Sequence, residues 1–284
     1  MNILVTIPHY YNFDRSSIHG SSRTSLESRT ASLTKTIMSL HQHLGKLQYH
    51  VNFLDEIIDD ANIESRHNID IYIITTGTNN IISKLPVESN LFTHLQSNST
   101  PMMLGFECRN ILLDNRGKYD YYCYMEDDII LSDPFFFGKL AWFNSITDNY
   151  RLLQPNRYEV SIQKLINKLY IDGDVYIMPE HLFYKLDGED ITSNYFGQQI
   201  LFHQPLNPHS GCYFLNSEQF DYWSSQKHYN DGDTSLVGPL ESAATLGLMK
   251  TFSIYKPAPY SANFLELEHF GNAHINITLG NATM

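Results

Sequence analysis

Short apolar runs alternate with stretches of helical periodicity in the first half of the chain. Three runs, at 3–7, 69–75 and 119–125, are predicted to be buried strands, because each is apolar and ends at a proline, a glycine or a charged cluster. Leucine and isoleucine recur at helical spacing between Arg29 and Gly45, and a second helix is predicted over 105–115. This order of elements predicts an α/β fold with a mostly parallel central sheet flanked by helices.

The rest of the chain is patterned less regularly. The elements predicted there are an edge strand at 47–54, a helix at 135–143, a polar loop at 154–159, a short helix at 161–169, a strand at 212–215, a helix from 216 to 223, a helix at 242–248 and a strand at 251–255. The segments 79–100, 172–204 and 266–274 have no clear period, and 172–204 is interpreted either as an irregular insertion or as short antiparallel strands. No linker separates independent domains, so we expect a single domain with an irregular C-terminal half.

The chain of 284 residues carries a formal net charge of −12. This charge repels nucleic acid, so no nucleic-acid partner is expected, and it opposes binding to anionic lipid by charge alone. No apolar run is long enough to span a membrane and no signal peptide is recognised, although peripheral membrane contact stays compatible with the sequence. Three cysteines without a CxxC pair favour free thiols in a reducing compartment. A soluble cytoplasmic protein is therefore expected.

The third predicted strand ends in three consecutive acids, Glu126, Asp127 and Asp128. Alternation along a strand directs Glu126 and Asp128 to one face and Asp127 to the other. Carboxylates this close repel one another, so a positive charge is expected among them, and a hard divalent cation is the usual solution. A solvated acidic turn explains the triplet equally well in isolation. Its place at the carboxyl end of a parallel strand, where such sheets bind ligands, favours a site.

Several further motifs follow one another in an order that resembles that of a GT-A-fold glycosyltransferase. The acidic triplet resembles the DxD motif of that fold, and ILVTIPHYYN at 3–12 resembles its first nucleotide-binding strand and loop. Four more segments match in order, namely Arg109-Asn110, a glycine loop at 207–214, an acidic helix start at 238–242 and the C-terminal His269. The resemblance covers nearly the whole chain. It implies a Rossmann-like GT-A domain with a nucleotide-sugar-binding half at 1–131 and an acceptor-binding half at 132–284.

The resemblance also implies an activity, a cofactor and a set of site residues. It is that of a metal-dependent transferase that moves a sugar from a UDP- or GDP-linked donor to a hydroxyl of a glycan or glycoconjugate. The implied cofactor is Mn²⁺ or Mg²⁺, held by Asp128 and His269, with His274 as the alternative to His269. An inverting reaction needs a base, for which Glu241 is the candidate. The residues implied for donor binding are Thr6, Pro8, Tyr10, Arg109, Glu126 and Asp127, and those for acceptor binding are His209, Gly211 and Tyr213.

Two departures from the family pattern leave alternatives open. The triplet begins with a glutamate, and Ser242 stands where a second acid is usual, which leaves Glu241 as the only carboxylate at that helix start. Glu241 is equally explained as an acid stabilised by the helix dipole, and a retaining enzyme would need no such base. The competing functions are a binding protein of the same fold with reduced catalysis and a sugar nucleotidyltransferase. The latter normally carries a glycine-rich basic loop after its first strand, where this chain has HYYNF.

Overall fold

The computed structural model describes residues 1–12, 24–162, 166–174, 184, 186 and 188–281. The strands in chain order are β1 Asn2–Pro8, β2 Tyr49–Asn52, β3 Ile57–Asp60, β4 Asn68–Thr76, β5 Thr93–Ser97, β6 Tyr121–Met125, β7 Ile129–Ile130, β8 Arg151–Leu153, β9 Asn156–Val160, β10 Lys168–Tyr170, β11 Ile191–Tyr195, β12 Gln198–His203, β13 Cys212–Asn216, β14 Ser253–Pro257 and β15 Glu266–His269. The longer helices are α1 Leu26–Leu44, α2 Leu104–Asp114, α3 Phe136–Ile146, α4 Ser217–Ser224 and α5 Ala273–Asn281.

Shorter helical pieces complete the secondary structure. The helical segment 239–249 joins a turn of α-helix, a π-helix and a second α-helical turn, at Pro239–Glu241, Ser242–Leu246 and Gly247–Met249. Turns of 3₁₀ helix occur at Ile63–Ser65, Ile82–Lys84, Ser89–Leu91, Pro101–Met103 and Pro259–Phe264.

Five strands form the central sheet, in the order β13-β6-β1-β4-β5. β1 is parallel to both of its neighbours, and Ile3 lies opposite Ile69 on one side and Tyr121 on the other. β5 adds a fourth parallel strand, whereas β13 pairs antiparallel with β6. The structure thus confirms a mixed α/β fold with a mostly parallel central sheet.

Helices cover both faces of this sheet. Val5 and Ile7 of β1 belong to one buried cluster with Leu33 of α1, while Leu4 belongs to a second cluster with Leu112 of α2. Side chains that alternate along β1 therefore enter two separate cores. Burial on both faces explains why β1, β4 and β6 are largely apolar runs in the sequence.

Local signals in the sequence set the ends of two helices. The hydroxyl of Ser25 accepts a hydrogen bond from the backbone N–H of Ser28, so α1 begins slightly before the predicted start at Arg29. α1 ends before Gly45, as predicted. Asn216 and Gln219 form a reciprocal capping box at the start of α4, where the sequence predicts a helix.

The C-terminal half adds two four-stranded sheets, β10-β9-β15-β7 and β11-β12-β14-β8. β7 directly follows the acidic triplet, and β15 pairs with it so that His269 lies opposite Ile129. The backbone N–H of Phe270 also donates to the carbonyl of Asp128 at 2.8 Å. A strand from the end of the chain is therefore fixed beside the acids that end β6.

One predicted strand forms outside the central sheet, and one strand of that sheet was not predicted. The strand predicted at 47–54 is present as β2, but it belongs to a separate hairpin, β2–β3, which pairs with no other strand in the described part of the chain. The central sheet takes its edge strand, β5, from the weakly patterned segment 79–100. β5 reads THLQS and is largely exposed or half-buried, so it has too few apolar side chains to give a strand pattern.

Predictions between residues 154 and 281 are partly wrong. The predicted loop at 154–159 instead forms most of β9, and the predicted helix at 161–169 ends within β10, although 163–165 lie outside the described residues. Of the two interpretations of segment 172–204, short antiparallel strands are confirmed by β11 and β12, while 175–183, 185 and 187 lie outside the described residues. The unpatterned tail forms β15 and α5. These elements carry polar residues that find their partners far along the chain.

All three cysteines are free, as predicted, and all three are also buried. Among the described residues, no helix combines the length and the apolar character needed to cross a membrane.

Candidate active site

A cavity of about 690 Å³ opens at the carboxyl ends of β1 and β6. The start of α1, the start of segment 239–249 and the stretch between β15 and α5 contribute its walls. All three acids of the triplet line the cavity, together with Glu241 and His269. The cavity lies where parallel sheets of this kind bind ligands.

Asp127 is the most firmly held acid of the triplet. Its carboxylate lies 2.5 Å from Nδ1 of His9 and also accepts a hydrogen bond from the guanidinium of Arg29. Nε2 of His9 accepts the backbone N–H of Ile81, so the neutral ring carries its proton on Nδ1 and donates it to Asp127. Burial raises the pKa of Asp127, but the charge of Arg29 and the hydrogen bond from His9 outweigh burial and lower it to about 2.

Glu126 faces a different partner. Its Oε2 atom lies 3.8 Å from Nη1 of Arg157. Burial and the negative charge of Asp128 raise the pKa of Glu126 to about 7. Gly211, with φ +60°, leaves room for this pair, since a Cβ there would lie 2.5 Å from Oε2 of Glu126 and 3.0 Å from Nη1 of Arg157.

Arg157 is fixed from behind by a buried ion-pair network. Asp172 accepts hydrogen bonds from the backbone N–H and Nε of Arg157, both at 2.9 Å, and lies 3.0 Å from Nζ of Lys256. Burial raises the pKa of Asp172, but the two cations outweigh it and lower the pKa well below its usual value. Lys256 also donates to the carbonyl of His209 at 2.7 Å. One acid is thus shared by two cations, which leaves positive charge directed at Glu126.

Asp128 is the acid whose carboxylate is least satisfied. Its Oδ1 atom is buried and has no hydrogen-bond partner among the described residues. Its Oδ2 atom lies 3.7 Å from Nη1 of Arg29 and 3.8 Å from Nε2 of His269, both beyond hydrogen-bond distance. A buried carboxylate oxygen without a partner is costly, and a hard cation would satisfy it.

His269 is oriented toward Asp128 by a buried glutamate. Nδ1 of His269 lies 3.1 Å from Oε1 of Glu159, so Nε2 faces the triplet. Burial lowers the pKa of His269, but the hydrogen bond to Glu159 and the charge of Asp128 outweigh burial and raise it. A histidine that binds a metal through one ring nitrogen usually donates its other ring N–H to a carboxylate, which fixes the orientation of the ring. Asp128 and His269 therefore fit a divalent cation.

A second set of potential ligands overlaps with this one. Glu159, His269 and His274 each offer one potential ligand atom, and these atoms lie within 4.8 Å of one another. The Glu159 carboxylate, however, also accepts the backbone N–H groups of His274 and Ile275, at 3.2 and 2.9 Å. Three N–H donors already satisfy this carboxylate, so its geometry favours an orienting and capping role.

Aromatic and apolar side chains form another part of the cavity wall. Pro8 and Tyr10 follow β1, and Pro101 and Met102 precede α2. The hydroxyl of Tyr10 accepts a hydrogen bond from the Asn79 side chain at 3.1 Å. A half-buried aromatic ring with a fixed hydroxyl is suited to stacking on a planar ligand group.

The candidate base and one predicted acceptor-binding residue line the cavity as well. Glu241 lies in the first turn of segment 239–249, and His209 lies in the loop before β13. Nδ1 of His209 is 2.8 Å from the hydroxyl of Thr245, and burial followed by the charge of Arg157 lowers the pKa of His209 to about 3. His209 is therefore neutral at physiological pH and serves as a hydrogen-bonding group.

The structure leaves four predicted ligand-binding residues outside the cavity wall. Thr6 donates to the carbonyl of Cys123, and Tyr213 is buried against Tyr124 with ring centroids 5.3 Å apart. Gly211 lies behind Glu126, and Arg109 is buried within the α2 side of the fold. A direct contact of these four side chains with substrate gains no support from their positions.

Arg109 instead ties segment 239–249 to α2. Its guanidinium donates to the carbonyls of Ser242 and Ala243, at 3.0 and 2.8 Å, and to that of Tyr229 at 3.2 Å. Arg109 is fully buried, which excludes a surface salt bridge as its role. Ser242 and Ala243 start the π-helix that directly follows Glu241, so Arg109 positions the turn that carries the candidate base.

From the sequence, no role in the site is assigned to four residues: His9, Arg29, Arg157 and Glu159. Arg29 offered a signal, because a cation in the first turn of a helix opposes the helix dipole and needs another reason to be there. His9 lies within the strand-and-loop motif but drew no assignment. Arg157 and Glu159 lie in a stretch interpreted as a loop, and nothing local in the sequence distinguishes them.

No protein-family model and no curated protein matches this chain. Among solved structures the chain is similar to TarS from S. aureus, at 9% sequence identity and a TM-score of 0.44. The similarity covers 100% of this chain and 40% of the TarS chain, so this chain spans less than half the length of that protein. The likeness is one of fold alone.

Proposed function

We propose that this chain is a metal-dependent glycosyltransferase with a GT-A-like arrangement, which moves a sugar from a nucleoside-diphosphate sugar to a hydroxyl acceptor. The donor is UDP- or GDP-linked and the acceptor is a glycan or glycoconjugate. The proposal rests on the contents of one cavity at the carboxyl ends of β1 and β6, which combine a candidate cation site, an aromatic wall and a candidate base.

One observation carries the proposal: of the three acids, only Asp128 has a buried carboxylate oxygen without a hydrogen-bond partner among the described residues. Asp127 is neutralised by Arg29, and Glu126 has Arg157 as its nearest cation. Arg157 lies 3.8 Å from Glu126 and Arg29 lies 3.7 Å from Asp128, so among the described residues Asp127 alone has a direct ion pair and Asp128 alone has a buried oxygen without a partner. That division supports Asp128 as the ligand of a divalent cation that accompanies an anionic substrate.

Asp128 and His269 would hold Mn²⁺ or Mg²⁺, and such an ion neutralises the diphosphate and stabilises the departing nucleoside diphosphate. Tyr10 and Pro8 would bind the nucleoside, and Glu126, held by Arg157, would accept hydrogen bonds from ribose or donor-sugar hydroxyls. Asp127 holds Arg29 and His9 in place rather than touching substrate.

Glu241 would take the proton of the acceptor hydroxyl in an inverting transfer. It shares the cavity with Glu126 and belongs to the turn that Arg109 fixes through Ser242 and Ala243. His209, neutral and half-buried, would donate or accept one hydrogen bond on the acceptor side.

A nucleotide-sugar-binding protein without turnover is the second candidate. The hydroxyl of Ser242, at the place of the family's second acid, accepts from the backbone N–H of Leu236 and donates to its carbonyl. Ser242 therefore closes a turn and supplies no proton chemistry. A site with Glu241 as its single acid on that side is compatible with binding alone.

The experiment that separates the two candidates is a panel of nucleotide sugars incubated with the protein and Mn²⁺. Release of the nucleoside diphosphate, with and without simple glycan acceptors, reports turnover. Thermal stabilisation by the same nucleotide sugars reports binding. Turnover that ends when excess chelator is added supports the transferase. Stabilisation without turnover supports the second candidate, and neither effect with any donor contradicts both.

A further inference from the structure

The β2–β3 hairpin exposes an apolar surface whose residues do not line the cavity. Tyr49, Val51 and Ile58 lie on one face, with 49%, 55% and 63% of their surface exposed. Phe53 and Leu54 form the turn and are 87% and 91% exposed. Apolar surface gathered in this way on one element marks an interaction site more often than isolated exposed side chains do.

Specific polar contacts hold the hairpin at both ends. Arg66 donates from Nε to the carbonyl of Ala61 at 2.6 Å and from Nη1 to Asp60 at 3.0 Å, and its guanidinium lies over the ring of Tyr49. At the other end, the side-chain oxygen of Asn52 accepts two backbone N–H groups of the turn, both at 3.1 Å. Polar contacts thus fix both ends, while Val51 and Ile58 between them stay more than half exposed within the described part of the chain.

The two edges of the hairpin differ in charge. Among the described residues β2 and β3 pair only with each other, so each has an outer edge of unsatisfied backbone groups. β3 carries Asp59 and Asp60, whereas β2 has no acid. In a chain with a net charge of −12, β2 is the edge on which another strand meets the least repulsion.

We propose that two copies of this chain pair through β2, antiparallel and about a two-fold axis at Val51, to form a four-stranded sheet. In this register Val51 lies opposite Val51 of the second copy, and Tyr49 lies opposite Phe53 of the second copy. Residues opposite each other in an antiparallel pair share a face, so the apolar side chains of both copies meet. The interface is isologous and therefore closes at a dimer.

Charge at the ends of β2 supports this orientation. Exposed Lys46 lies before β2, and exposed Asp55 and Glu56 lie beyond its other end. Antiparallel pairing brings Lys46 of each copy toward the acidic turn of the other, whereas parallel pairing would place like charges together. A two-fold axis at His50 would oppose two imidazoles, while the axis at Val51 places His50 opposite Asn52 of the second copy.

A lipid surface is the competing occupant of the patch, because Phe53 and Leu54 protrude. Asp55 and Glu56 directly adjoin them, and entry of the turn into a bilayer would carry both carboxylates toward the headgroups. The charge pattern therefore favours a second copy. The dimer depends only on the hairpin and is independent of the proposed activity.

Analytical ultracentrifugation of the whole chain tests the dimer, at concentrations up to about 100 µM. We expect a reversible dimer for the wild type and at least a tenfold weaker one for Val51→Lys, because two ammonium groups then face each other at the axis. Ile63→Lys, at an equally exposed position outside the hairpin, should dimerise as the wild type does. A monomeric wild type overturns the proposal, and binding of that monomer to phosphatidylcholine vesicles would assign the patch to lipid.

Oxidative cross-linking tests the register. Facing residues in an antiparallel pair have Cα atoms about 4.5 to 5.5 Å apart, within the range of about 4.4 to 6.8 Å that a disulfide bridges. Val51→Cys should therefore form a covalent dimer with oxidised glutathione, and the three buried native cysteines give no background. His50→Cys, whose mate lies diagonally about 7 to 8 Å away, should cross-link far less. Equal cross-linking by both variants overturns the register.

Discussion

Oε1 of the buried Glu159 lies 3.1 Å from Nδ1 of His269, and this contact turns the other ring nitrogen toward Asp128. The two residues are 110 positions apart, and β9 and β15 bring them together as neighbours in one sheet. The candidate cation site therefore depends on a sheet built after the acidic strand, and its properties can be tested residue by residue.

Glu159→Gln should weaken Mn²⁺ binding about 10- to 100-fold, because the substitution removes the charge that orients His269. Electron paramagnetic resonance of free Mn²⁺, in the presence of UDP or GDP, measures the affinity directly. Glu159 also caps the start of α5. Thermal unfolding of the same variant therefore reports how far the loss of this cap destabilises the protein.

His274→Ala is the matched control, since His274 contacts the same glutamate only through its backbone N–H. The variant should bind Mn²⁺ as the wild type does. A loss as large as that of His269→Ala would show that the cation is held by Glu159, His269 and His274 instead, against the present assignment.

Glu241→Gln should lower turnover about 10²- to 10⁴-fold, since the amide cannot accept the acceptor proton. Binding of the nucleotide sugar, measured by thermal stabilisation, should stay unchanged because Glu241 is assigned to the acceptor side. If turnover survives at the wild-type rate, the glutamate only caps its helix and the reaction does not use it as a base.

Gly211→Ala should impair both stability and donor binding. A side chain at φ +60° costs about 1 to 2 kcal/mol, and the added Cβ also displaces the Glu126 carboxylate 2.5 Å away. Gly117→Ala, at φ +80° with no atom within 4 Å of the added Cβ, isolates the backbone cost. Urea unfolding and the KM for the donor compare the two. Equal behaviour of both variants would contradict the role of Gly211 in making room for Glu126.

Asp172→Asn should destabilise the protein by about 3 to 5 kcal/mol, because it leaves Arg157 and Lys256 buried without their shared anion. The folded-state pKa of Asp172 is lowered, so its contribution is complete above the unfolded-state value of about 3.9 and is lost as the pH falls toward the folded-state value. Urea unfolding should show that the wild type and the variant differ in free energy of unfolding at pH 7, and that this difference becomes smaller below about pH 4.

Asp221→Asn provides the comparison for that prediction. Asp221 pairs with Arg116 at 2.6 Å, but both side chains are about half exposed. Its loss should cost less than about 1 kcal/mol. If Asp172→Asn lowers the free energy of unfolding by as little, the ion-pair network of Asp172 does not fix Arg157 in the way proposed.

The sequence predicts the central sheet well and the site only in part. β1, β4 and β6 are apolar because the sheet is covered on both faces, so their signal is local and strong. β9 could not be recognised, because its buried polar residues Asn156 and Glu159 are satisfied by groups about 100 residues away. Polar strands of this kind resemble loops until their partners are known.

The same limit explains the outcome for the acidic triplet. The prediction that positive charge lies among the acids is confirmed, but Arg29 and Arg157 supply much of it. Arg109, the arginine that the family order singled out, lies elsewhere and fixes the turn that follows Glu241. A motif order indicates which segments meet, whereas hydrogen-bond geometry decides what each side chain does there.

The measurement that tests the central claim most directly is Mn²⁺-dependent release of UDP or GDP from nucleotide sugars by the wild type and by Asp128→Asn. The substitution is nearly isosteric and should leave the fold intact by circular dichroism and thermal unfolding. We expect turnover to fall at least about a hundredfold, since charge stabilisation by a metal is worth several kcal/mol. Wild-type turnover in Asp128→Asn, or undiminished wild-type turnover in excess chelator, would contradict the assignment of Asp128 as the donor-metal ligand.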